Sequence, residues 1–121
     1  MSDESHACLA FCIEIPEDVE LHDHEPGDPD APNSLPGVGV LEKQFGVDHQ
    51  LAGNCHGTTK NLFCSHTPMM AWESWTTPVS EGLFGKHGGP DDVAALKGVA
   101  EALGIEWDSV QAAWRLFAYY G

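Results

Sequence analysis

Basic side chains are scarce in this sequence: five Lys and Arg stand against nineteen Asp and Glu, for a formal charge of −14. None of the five lies in the first 42 residues, where eleven acids run from Asp3 and Glu4 to Asp30 and Glu42. A field of this sign repels phosphate backbones and anionic membrane surfaces, so direct nucleic-acid binding is not expected. It attracts cations and basic protein surfaces instead, and it also solubilises a surface or suits a high-salt habitat. Long apolar runs are missing too. The longest uncharged stretch, Asn61–Trp72, contains Ser, His, Thr and Pro and cannot cross a hydrocarbon core of about 30 Å, so no membrane association is expected. The apolar run Cys8–Ile15 is short and follows acids rather than a basic region; no export signal is read, and a cytoplasmic location is the expectation.

Several chemistry-bearing patterns are absent as well. Gly85-Lys86-His87 sits among glycines, but the spacing GxxxxGK[ST] is not met, and no GxSxG occurs. Catalysis is therefore not the expectation. No CxxC pair is present, which argues against zinc fingers and ribbons. Four cysteines do occur, at positions 8, 12, 55 and 64, and without an export signal they imply free thiols or a metal site before disulfides.

The length of 121 residues suits one domain over 1–121, with an acidic strand and Pro-rich loop (1–36), a loop-rich middle (37–89) and a helical C-terminal part (90–121). Leu9, Phe11, Ile13 and Ile15 alternate with Cys8, Ala10, Cys12 and Glu14, the period of two that marks a strand. Pro16 ends it, and Glu17–Pro36, with four prolines and many acids, reads as a long irregular loop. Val38, Val40 and Leu41 suggest a second short strand between glycines, while LEKQFGV fits one helical turn equally well, and the strand is the reading adopted. Thr67-Pro68 followed by Met69, Trp72 and Trp75 suggests a two-turn helix, and Gly82, Gly85, Gly88 and Gly89 a flexible connector. Further on, Pro90 with Asp91 and Asp92 starts a helix carrying Val93, Leu96, Ala100 and Leu103, closed by Gly104. Trp107, Val110, Trp114 and Phe117 repeat the 3, 4, 3 spacing, which predicts a second helix and an αα-hairpin.

The stretch Leu96–Arg115, LKGVAEALGIEWDSVQAAWR, resembles a helix-turn-helix signature, with Ala100 at the small position, Gly104 at the turn, Ile105 after it and Val110 anchoring the second helix. The resemblance implies two helices packed across a tight turn. A groove-reading helix would have only Gln111 and Arg115 as readers here and opens with Glu106, Trp107 and Asp108, so a structural or protein-binding hairpin is expected, with Trp107, Trp114, Tyr119 and Tyr120 as candidate partner contacts.

The candidate metal ligands are Cys55, His56, Cys64 and His66, gathered in a polar loop with only Leu62 and Phe63 to bury, and the ion they suggest is zinc. Cys8 or Cys12 is a further candidate ligand arriving from the neighbouring strand. Both cannot serve one ion, because four residues of strand separate them by about 13 Å. His22 and His24 form an HxH pair similar to that of cupins and metallo-β-lactamases. The cupin glycines around it are missing, and Pro26 and Gly27 break the HxHxDH continuation.

The expected architecture is α+β, short N-terminal strands and long loops packed against a C-terminal αα-hairpin. The expected function is a non-catalytic acidic accessory or adaptor protein binding a protein partner, basic in character, within an assembly or as an inhibitor of a basic or nucleic-acid-binding protein. A small zinc-stabilised protein is the alternative, and a metal-dependent enzyme the third reading.

Overall fold

The alternating segment near the N-terminus organises the whole molecule. In the computed structural model, which describes residues 6–21, 36–53, 59–71, 79 and 81–119, it is strand β1, His6–Glu14. The remaining elements are α1 (Val38–Phe45), β2 (Asp48–Gly53), β3 (Thr59–Cys64), β4 (Met69–Ala71), α2 (Glu81–Lys86), α3 (Pro90–Ala102), a 3-10 turn (Trp107–Ser109) and β5 (Ala113–Tyr119). The fold is mixed, a five-stranded antiparallel sheet with three helices among the described residues.

The strand order is β3-β2-β5-β1-β4, and β3 also pairs with β1, so β1, β5, β2 and β3 close into a ring. One edge of β1 carries β5 from His6↔Tyr119 to Cys12↔Ala113. Its other edge carries β4 at Ala7–Leu9 and β3 at Cys12–Glu14. The ring closes between β2 and β5 at Ala52↔Tyr119. A ring of four strands leaves little room inside, and mostly small side chains fill it: Ala10, Cys12 and Cys64 are buried there with one larger residue, Leu62, and Ala52 and Phe117 pack on them. The outer face carries the large residues of the same strands. Phe11, Ile13 and Phe63 pack with Leu41 of α1 and with Leu96, Val99 and Ala100 of α3, forming the main core. Alternation of side chains across the sheet thus sorts one set of strands into two cores.

Helix α3 matches its sequence signals: Gly89 precedes it, Pro90 occupies the first turn with Asp91 and Asp92, and Leu96, Val99 and Ala100 are buried. Gly104 follows with φ 72°, the left-handed conformation that ends helices. The expected second helix is not formed. After the 3-10 turn the chain becomes β5, and the αα-hairpin, with the helix-turn-helix resemblance built on it, is corrected to a helix–turn–strand. The physical reason is long-range. Strand β1 needs a partner along this edge, and Trp114, Leu116 and Ala118 alternate with Arg115 and Phe117 as a strand requires, whereas a helical stripe through Trp107, Val110, Trp114 and Phe117 would leave this edge of β1 unpaired.

Three smaller expectations also change. Val38–Phe45 is a helix rather than a strand, stopped by Gly46 at φ 66°. Met69–Ala71 is extended along β1 rather than helical. The glycine-rich connector contains helix α2.

Candidate functional site

Strands β3 and β4 pair with the same edge of β1, but between Cys12↔Cys64 and Leu9↔Met69 the β1 side has two residues, Ala10 and Phe11, and the facing side has four, Ser65 to Pro68. The surplus is a β-bulge, a distortion that re-aims side chains. Ser65 N–H still donates to Phe11 C=O at 3.0 Å. The Phe11 N–H, which has lost its ladder partner, donates to His66 Nε2 at 3.1 Å. His66 Nδ1 lies 2.9 Å from Thr67 C=O, so this nitrogen carries the proton and the ring is neutral, with both nitrogens engaged. Burial pushes the His66 imidazolium below its ordinary range, the direction this tautomer requires.

His66 stacks on His87, with ring centroids 4.0 Å apart at 20°, and tilts against Trp114 at 5.5 Å. Trp114 in turn meets Phe11 at 5.8 Å and Phe84 of α2 at 4.7 Å, both edge-on. His87 Nδ1 is 3.6 Å from Asp92 Oδ2, too far for a hydrogen bond, and the same carboxylate oxygen accepts the Gly88 N–H at 2.5 Å. Gly88 has φ 87°, and a Cβ there would meet Trp114 Nε1 at 3.0 Å, so the turn that seats His87 has space and conformation only for glycine. The result is an aromatic wall on the outer face of the sheet, beyond the part that α1 and α3 cover.

That wall continues into solvent. Leu116, two residues along β5 from Trp114 and therefore on the same face, is 76% exposed, and Phe84 is 49% exposed. Leu9 pairs directly with Leu116 across the β1–β5 ladder. Trp107, from the expected partner-contact set, packs on the main core and also lines a shallow recess with Val93, Asp108, Val110, Gln111 and Ala112. Trp114 is half-buried at the root of the wall. Tyr119 pairs through its backbone with His6 and Ala52, and Tyr120 lies outside the described residues. Leu9, Phe84 and Leu116 were not among the candidates. The signal for Leu116 is the alternation Trp114, Leu116, Ala118, which a helical period hides; Leu9 lies in the β1 alternation, and Phe84 of α2 carries no such signal.

Of the expected metal ligands, Cys55, His56, His22 and His24 lie outside the described residues. Cys64 and His66 are described and point to opposite sides of the sheet, Cys64 into the ring and His66 onto the aromatic wall. Cys64 instead faces Cys12 in register, with Cys8 further along β1; all three are buried free thiols. Among the described residues, no three His, Cys, Asp or Glu side chains are grouped as a metal site. Among the same residues, no helix is long and apolar enough to cross a membrane.

Comparison with protein families, with curated proteins and with solved structures finds no match for this chain.

Proposed function

We propose that this chain is a non-catalytic accessory protein that docks on a basic protein, within an assembly or as that protein's inhibitor. The observation that carries the reading is the pair of exposed apolar side chains, Leu116 and Phe84, over the Trp114 wall, a strip continued by half-buried Leu9 across the ladder from Leu116. A rigid aromatic root with exposed apolar neighbours is the kind of patch that anchors interfaces. The charge supports a basic occupant. Of the five cations, Lys60 is paired with Glu17 and Arg115 is tied to backbone carbonyls, while Glu14, Asp18, Glu20, Asp91, Glu106 and Asp108 are exposed. Two copies carrying −14 each would repel, which argues against self-docking through the strip.

The test places a photo-crosslinking amino acid at position 116, with a control at Glu101 on α3. The expected adduct is a protein of basic isoelectric point, captured from 116 and not from 101, whose purified form binds at a rate that falls steeply with salt and loses at least tenfold affinity to Leu116→Asp. An adduct with a second copy of this chain, an acidic partner, or equal yield from both positions overturns the reading.

A further inference from the structure

The ring interior holds a second arrangement, independent of the docking strip. The bonds from Ser65 N–H to Phe11 C=O, one step from the register Cys12↔Cys64, and from Ile15 N–H to Asn61 C=O, three steps beyond it, put the β1–β3 ladder bonds at odd positions of β1, so Cys12↔Cys64 is a non-hydrogen-bonded pair. In such pairs the Cα atoms approach to about 4.5 Å, inside the range a disulfide spans. We propose that Cys12 and Cys64 are a modification site that takes a small hydroperoxide and is converted reversibly to a cross-strand disulfide.

The two thiols face each other closely enough to interact, and that interaction, more than anything around them, sends them in opposite directions. The interaction with Cys64, joined by the Arg115 guanidinium, lowers the Cys12 thiol. The Cys12 sulfur, burial and the Asp48 carboxylate raise Cys64. Arg115 is held in place by donating to the carbonyls of Cys12 and, at 2.8 Å, Gln111. One of only five basic residues in a chain of net charge −14 is thus stationed at this dithiol. Cys8, on the same face of β1, has its thiol raised by burial alone and is the internal comparison.

Two half-steps balance the chemistry. The Cys12 thiolate attacks one peroxide oxygen, an S–O bond forms, the O–O bond breaks, and the leaving oxygen takes a proton, giving a sulfenic acid and an alcohol or water. Cys64 then attacks the Cys12 sulfur, the S–S bond forms, the S–O bond breaks, and the hydroxyl leaves as water with the Cys64 proton. The two sulfurs are each oxidised by one electron and the peroxide is reduced by two. Neither thiol has exposed surface, so the oxidant reaches them when the ring opens locally, and a brief opening admits a small hydroperoxide more readily than a glutathione-sized disulfide.

The experiment titrates the reduced full-length chain with hydrogen peroxide, quenches it in denaturant with an alkylating reagent, and maps a non-reduced digest by mass spectrometry. The expected result is a loss of two hydrogens, one Cys12–Cys64 linkage reversed by dithiothreitol, and Cys8 still alkylated. Arg115→Gln should form the same linkage several-fold more slowly. Should that variant not fold, the wild-type rate is measured against pH and should level off below the ordinary thiol value of 9.0. Cys12 and Cys64 remaining alkylatable while other cysteines oxidise, or a linkage through Cys8 or Cys55, overturns the site. A rate unchanged in folded Arg115→Gln overturns the part assigned to Arg115, and a rate still climbing through pH 9.0 in the wild type overturns the lowered Cys12 thiol.

Discussion

Phe63 and Cys64 are neighbours in β3, and neither has exposed surface, yet they live in different interiors. Phe63 points outward into the core shared with α1 and α3, where large side chains interdigitate. Cys64 points inward, where four closing strands leave space only for Ala, Cys, Leu and the flank of Phe117. Burial alone does not distinguish the two residues; the volume around them does. The outer core supplies stability through area removed from water, and the inner one sets how tightly the ring can close.

The sharpest way to break this comparison is to empty both positions. Phe63→Ala should cost about 3–5 kcal/mol, a large share of the stability of a domain of this size, whereas Cys64→Ala should cost about 1 kcal/mol, the worth of one heavy atom of buried surface. Urea titration of both variants measures the gap. Equal losses would mean that the two interiors are one.

At the bulge, where the chain passes from the inner face to the outer, His66→Ala leaves the Phe11 N–H without its acceptor and should cost about 1–3 kcal/mol. His66 is also a source of pH dependence. Its folded value is depressed by burial, so as pH falls the unfolded chain takes up a proton here before the folded one does. The stability it contributes is whole above the ordinary value of 6.5 and is lost as pH falls through the lower folded value. His66→Gln keeps an acceptor without a titrating ring, so its urea midpoint should decline less than the wild type's over that window. Parallel pH curves would remove His66 from the account.

The smallest effect belongs to the uncovered end of the outer face. Leu116→Ser removes a side chain that already meets water, and thermal unfolding should register a change within about 0.5 kcal/mol. A larger loss would show that the strip is part of the outer core rather than its exposed continuation.

How far the sequence could be read follows the range of the interactions. Strand β1 and helix α3 carry their own signals, alternation in Leu9–Ile15 and a capped, acid-led apolar stripe from Pro90 to Leu103, and both formed as expected. Strand β5 depends on β1, far away in the chain, and Trp107, Val110, Trp114 and Phe117 satisfied a helical spacing as well as Trp114, Leu116 and Ala118 satisfied a strand. Local pattern could not choose between them; the unpaired edge of β1 did. The candidate site divides the same way. Cys64 and His66 stood out by residue type, but a bulge invisible to spacing sent them to opposite faces, and the opposition of Cys12 to Cys64 exists only once the register is known.

The pairing of residues 6–12 with 113–119 has a consequence for synthesis. While the ribosome is still extending the chain, β1 has been made and its main partner has not. The hairpin of β2 and β3 can form early from neighbouring residues, but the longest ladder waits for β5, after a large loop has closed against its entropy. For that interval Leu9, Phe11, Ile13 and Ile15 are an apolar strand with an open edge, the kind of segment nascent chains aggregate through. The eleven acids and no bases of the first 42 residues surround it with like charge, and mutual repulsion between nascent copies would hold the strand apart until its partner arrives.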